Sequence, residues 1–137
     1  MLLTKKGFFI IDNELSQRVI GCAFEVSNTL GAGFFEKVYE KALCVEFEKT
    51  GLDYVCQKPV LVKYKDIFVG EYIADIVVEG QLLLELKALS TLCPEHEAQL
   101  MNYLKATGLS VGLLLNFGRP KLGIKRMIWN HNETNNI

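Results

Sequence analysis

No stretch of this 137-residue chain approaches the roughly 20 consecutive apolar residues that a membrane-spanning helix needs. The first residues, Met1 to Asp12, carry a short apolar patch after Lys5 and Lys6. They offer neither a long apolar region nor a small-residue cleavage site, so no secretory leader is expected, and a cytoplasmic location follows by default. Net charge is also scarce: −1, from 15 basic and 16 acidic side chains. That argues against a general nucleic-acid coat protein. None of the four cysteines, Cys22, Cys44, Cys56 and Cys93, belongs to a C-x-x-C pair. Reduced, buried thiols are the expectation. The two histidines are His96 and His131. A lone His-x-x-Gln, as at His96, is not a metal motif, and His96 is expected at the surface. There is no repeat, no low-complexity stretch and no linker, so residues 1–137 are expected to form one domain.

Half of the residues are hydrophobic and 23% are charged, spread along the chain, which suits a folded core rather than disorder. Asn13 to Thr29 places Leu15, Val19, Cys22, Ala23 and Val26 near helical spacing, with Asn13 as the expected N-cap. Gly31-Ala32-Gly33 breaks this helix. A second is expected from about Phe34 to Thr50, stopping at Gly51. Strands follow at Tyr54 to Tyr64, Ile67 to Val78 and Gln81 to Ala88. Pro94-Glu95 opens a third helix that runs to Ala106 and ends at Gly108. Val111 to Asn116 reads as a short buried strand and Ile124 to Trp129 as a last one. The expected order is α-α-β-β-β-α-β-β.

The chemistry concentrates on the hairpin. Centring its turn on Gly80 pairs Val78 with Leu82 and sets Asp75 opposite Glu85 on one face. Lys87, two residues from Glu85, shares that face. A Glu and a Lys at this spacing are ordinarily a solvated face, but Leu82 to Leu84 is continuously apolar and argues for a buried strand. Two close carboxylates repel unless a proton or a cation lies between them. Oxygen ligands of this kind suit a hard divalent cation. A buried hairpin carrying such charges needs a partner of this sort.

An Asp, a hydrophobic hairpin and then Glu85-Leu86-Lys87 resemble the PD-(D/E)XK nuclease superfamily. Gly33-Phe34-Phe35-Glu36-Lys37-Val38-Tyr39 resembles the signature of the GxxExxY protein family within it. Gln99-Leu100-Met101-Asn102-Tyr103 is similar to the Gln-x-x-x-Tyr helix of RecB-type members. Ala74 stands where many members have proline. The resemblance spans roughly residues 13 to 130. It implies an α/β, restriction-endonuclease-like core of order α-β-β-β-α-β, with a central mixed sheet flanked by helices and an extra N-terminal helix. It implies a Mg2+- or Mn2+-dependent nuclease acting on DNA. Asp75, Glu85 and the backbone carbonyl of Leu86 would hold the metal, and Glu36 would complete the shell directly or through water. Lys87 would orient the water or stabilise transition-state charge. Glu36, Asp75, Glu85 and Lys87 are thus the catalytic candidates. Gln99 and Tyr103, one helical turn apart, would contact phosphate, with Tyr39 lining the site. Some RecB-type enzymes hold an iron–sulfur cluster on a tight C-terminal group of cysteines. No cysteine follows Cys93, so no cluster is expected.

Charge is unevenly distributed. Residues 98–132 carry Lys105, Arg119, Lys121, Lys125 and Arg126 and no acid. A basic third beside an acidic remainder would suit a protein that meets phosphates. A homodimer is also expected, because one small domain covers little duplex; small dimeric junction resolvases are one such precedent. The alternative class is a catalytically silent module of the same fold that binds nucleic acid or a protein partner. Retained facing carboxylates argue for the enzyme.

Overall fold

The computed structural model describes residues 5–130. Helices α1 (Lys5–Leu30) and α2 (Glu36–Thr50) precede strands β1 (Tyr54–Tyr64), β2 (Ile67–Val78) and β3 (Leu82–Lys87). Helix α3 (Pro94–Thr107) leads to β4 (Val111–Asn116) and β5 (Gly123–Ile128). The strands lie in the order β1-β2-β3-β4-β5. β3 and β4 are parallel and the other neighbours antiparallel. Parallel neighbours need a long crossover, and α3 is that connection. The result is the mixed-sheet α/β arrangement that the resemblance implies.

Helices cover both faces of the sheet. Val19 and Val26 of α1 and Leu43 and Phe47 of α2 pack on Ile76, Leu84, Leu86 and Leu113. On the other face, Leu100 and Leu104 of α3 pack on Val77, Leu83 and Leu114. β3 and β4 are therefore buried on both sides, which explains their near-continuous apolar runs. Two helix starts differ from the expectation. α1 begins by Lys5, so Asn13 lies inside the helix and is not its cap. The segment from Lys5 contains no proline to stop a helix, and one glycine, Gly7, costs only about 1 kcal/mol relative to alanine. α2 begins at Glu36 because Phe35 is extended and Gly33 has a φ of 113°. Its end matches the expectation, with Gly51 left-handed at φ 75°.

The turn between β2 and β3 sets the register of the hairpin. Val78 pairs with Leu82 and Ile76 with Leu84. Glu79 and Gly80 both take positive φ, 54° and 65°. Glu79 is held in this rare conformation from two sides: its N–H donates to Asp53 O, and its Oε2 accepts from Asp53 N. The far halves of β1 and β2 form an arm. Leu61, Tyr64, Ile67, Phe68, Val69, Tyr72 and Ile73 on it are all exposed, despite a composition that suggests burial.

Beyond β3 the chain is clamped to the end of β4. Buried Asn116 accepts the Leu89 N–H through Oδ1 at 3.0 Å and donates through Nδ2 to Leu89 O at 2.9 Å. Its Oδ1 also accepts the Gly118 N–H, at 3.0 Å. Phe117 N donates to Lys87 O at 2.8 Å. These bonds fix where β3 ends, and with it the backbone that carries Lys87.

Candidate functional site

Asp75 sits where β2 leaves β3. The ladder of Cα partners stops at Ile76 and Leu84. Opposite Asp75 on β1 stands Gln57, with φ at +55° and outside the paired register. Side chains replace the missing ladder. Glu85 Oε2 accepts the Asp75 N–H at 3.0 Å, and Asp75 Oδ2 accepts the Leu86 N–H at 2.7 Å. The two carboxylates are thereby crossed over one another's backbone. The second oxygen of each has no hydrogen-bond partner among the described residues.

Burial pushes the Asp75 carboxyl up, the Leu86 N–H opposes the shift, and the charges of Glu40 and Glu36 add to it. Glu85 is pushed up to about 8, first by burial and then by the Asp75 charge. The Lys87 cation offsets part of both shifts. Asp75, Glu85, Lys87 and Glu36 thus share one electrostatic environment, contributed by β2, β3 and the first turn of α2.

Glu40 belongs to the same environment and was not foreseen. It is buried, its Oε1 accepting from Lys37 Nζ at 3.2 Å and from Gln57 Nε2 at 2.9 Å. The available signal was its spacing of four from Glu36, which puts both on one helix face. Its partner Gln57 carries no such signal, because only the irregular turn of β1 brings it there.

Gln99 and Tyr103 of α3 approach from the other side. Gln99 Nε2 donates to the Tyr103 hydroxyl at 3.0 Å. The Tyr103 hydroxyl is raised by burial and then by the charge of Glu85, with Asp75 contributing.

Tyr39 is elsewhere in function. It is fully buried and has no surface to offer a substrate. Its ring stacks on Phe117 at 4.7 Å. Its hydroxyl donates to Gly31 O at 2.6 Å and accepts the Phe34 N–H at 3.2 Å. Tyr39 therefore holds the loop that enters α2 just before Glu36, which corrects its expected place in the site lining.

His96 caps α3, its Nδ1 accepting the Cys93 N–H at 3.1 Å. His131 lies outside the described residues. The four cysteines are free. Cys22 is buried as expected, but Cys93 is exposed at the start of α3, where a cap must meet the first turn. Cys44 and Cys56 are half-buried, with sulfurs 3.1 Å apart. Burial, then the Cys44 thiol, pushes Cys56 up to about 12.

The five C-terminal cations do not form a single patch. Lys105 is on α3 and Arg119 and Lys121 are in the β4–β5 loop. Lys125 and Arg126 are successive on β5 and point to opposite faces. Arg126 Nε donates to Ser16 of α1 at 3.3 Å.

A family model for the PD-(D/E)XK nuclease superfamily matches residues 13–127. The chain belongs to that superfamily. No curated protein and no solved structure matches it. No described helix is long and apolar enough to cross a membrane.

Proposed function

We propose that this chain is a divalent-metal-dependent phosphodiesterase that cuts nucleic acid, DNA in the first instance, and that within its superfamily it belongs with the GxxExxY proteins. The observation that carries the reading is the crossed pair of Asp75 and Glu85. Each spends one oxygen on a backbone N–H and keeps another without a partner among the described residues, in a place where burial and mutual repulsion disfavour two negative charges. Such a donor set fits a hard cation. Among the described residues no three His, Cys, Asp or Glu side chains group as ligands. In this reading Asp75, Glu85 and the Leu86 carbonyl would hold the metal, with Glu36 acting directly or through water. Bound Mg2+ or Mn2+ supplies a water of lowered pKa and offsets charge on the phosphorane.

The chain's own residues do the rest. Lys87, held by the clamp on its carbonyl, orients the attacking water or meets the developing charge. Gln99 and Tyr103 present an amide and a hydroxyl to phosphate oxygens. Tyr39 and Glu40 position the start of α2.

The ungrouped ligand set favours one other reading, a silent module of the same fold. Calorimetric Mn2+ titration and cleavage assays on wild type, Asp75→Asn and Lys87→Ala decide between them. Asp75→Asn should lose metal binding and cleavage together. Lys87→Ala should keep metal binding and lose cleavage by about 2.7–4 kcal/mol of transition-state stabilisation, roughly a hundred- to a thousand-fold. A wild type that binds no Mn2+ and cuts nothing would establish the silent module.

A further inference from the structure

Between the exposed β1–β2 arm and α3 runs a groove of about 1130 Å³. We infer that this groove seats single-stranded nucleic acid, with bases stacked on Phe68 and Tyr72 and phosphates at Lys63 and Lys105, and leads it to Asp75 and Glu85. The inference rests on the phosphodiesterase reading for the chemistry at the end of the groove, and adds the class of strand that enters it.

Three observations meet here. The first is the aromatic lining. Phe68 and Tyr72 are 60% and 53% exposed, although Lys63 lies over one ring and Tyr103 packs against the other. Large exposed rings on a protruding arm mark a binding surface. Unpaired bases offer π-faces to such rings, whereas a duplex hides its base faces in the stack. The second is charge. Lys63 Nζ lies over one face of the Phe68 ring, 5.0 Å from its centroid, a cation held at the stacking surface itself. Lys105 faces it from α3, and neither lysine forms an ion pair with a described residue. With Glu95 as its one acid, the lining carries a net positive charge.

The third is continuity. Tyr72 packs against Tyr103 with ring centroids 5.7 Å apart. Tyr103 lines the groove, accepts from Gln99 through its hydroxyl, and feels the charges of Glu85 and Asp75. A base on Tyr72 would therefore place its neighbouring phosphate toward Gln99 and the acidic pair. A second copy of the chain could cover the apolar rings, but it would leave the two lysines and the path to the carboxylates unexplained.

The test is fluorescence anisotropy with a labelled oligothymidylate and a blunt duplex of equal length, with Ca2+ replacing Mg2+, in an Asp75→Asn background. The single strand should bind more tightly than the duplex. Tyr72→Ala and Phe68→Ala should each weaken single-strand binding by about 5- to 150-fold, the loss of one stacked base, with far less effect on the duplex. Tyr72→Trp keeps a stacking face and should hold or improve the affinity, which a folding defect would not permit. Equal losses on single strand and duplex, or none, would overturn the inference. So would variants that turn a dimer into a monomer in sedimentation with affinity unchanged, which would make the arm a dimer contact. A wild type that cuts duplex but shows no single-strand preference sinks the groove and spares the phosphodiesterase. Groove-dependent binding without cleavage in Mn2+ does the reverse.

Discussion

Burial and a neighbouring carboxylate act in the same direction on Glu85, and together they raise its carboxyl from 4.5 to about 8. The sign of the consequence follows from linkage. An acid that titrates higher in the folded state holds its proton more tightly there. Its contribution to stability is complete below about pH 4.5 and is lost as pH rises through about 8. Without divalent metal, the wild type should therefore lose stability over that window. Glu85→Gln, which cannot ionise but keeps an oxygen for the Asp75 N–H, should flatten the dependence and be more stable by about 1–3 kcal/mol at the alkaline end. Urea denaturation in EDTA across the range measures both. Saturating Mn2+ should flatten the wild-type curve too and should not affect the variant. A wild type whose stability climbs toward pH 8 in EDTA would contradict the mutual repulsion of the pair.

The strand ends that carry this pair depend on glycines in unequal ways. A Cβ on Gly118 would overlap Leu89 N and O and stand 2.6 Å from Ala88 C, all of them backbone. A Cβ on Gly112 would meet chiefly the Leu100 side chain, at 2.8 Å from Cδ1, with Leu83 O farther off at 3.2 Å. A leucine tip can turn aside, while a clamped backbone cannot. Gly118→Ala should cost at least about 3 kcal/mol and loosen Lys87, whereas Gly112→Ala should stay within the about 1–3 kcal/mol of ordinary overpacking. Thermal melts compare the two. The register that sets Asp75 against Glu85 was legible in the sequence, because a short turn centred on Gly80 leaves few choices of pairing. The clamp was not, since Asn116 and Leu89 are joined only through the crossover. Glu40 was half-legible, by helical spacing but not by its Gln57 partner. Tyr39 shows the limit of a motif: spacing alone puts Glu36 and Tyr39 on one helix face, and only packing tells that the tyrosine is fully buried against Phe117. The exposure of the arm was not legible either, since apolar residues in β1 and β2 look the same whether or not anything covers them.

Across the whole molecule, the cations that looked like one basic third are divided among α3, the β4–β5 loop and the two faces of β5. Asn116 pairs with Gly123 and Lys87 with Asn116, so the β4–β5 loop lies at the same end of the sheet as Lys87. Arg119 and Lys121 on that loop are exposed there, while Arg126 is turned toward α1. Replacing Arg119 and Lys121 with Gln should flatten the slope of log affinity against log salt on duplex DNA by about two units. Replacing Arg126 should leave it nearly unchanged. Salt titrations of binding in Ca2+ read the slopes directly, and a large effect from Arg126 alone would place the phosphate track on the α1 face.

The order in which the fold assembles is written into the separations of these same groups. Asp75 and Glu85 meet across a turn that closes over ten residues, whereas the charges of Glu36 and Glu40 come from far upstream and Tyr103 comes from the crossover helix itself. Contacts that close short loops form before those that close long ones. The two acids should therefore already oppose one another in the folding transition state, when neither α2 nor α3 is yet in place. Folding in EDTA should slow as pH rises toward about 8, and Asp75→Asn should fold faster than wild type with little change in its unfolding rate. Chevron plots at both ends of the range would show this as a movement of the folding limb alone. A movement confined to the unfolding limb would mean that the acids meet only after the barrier.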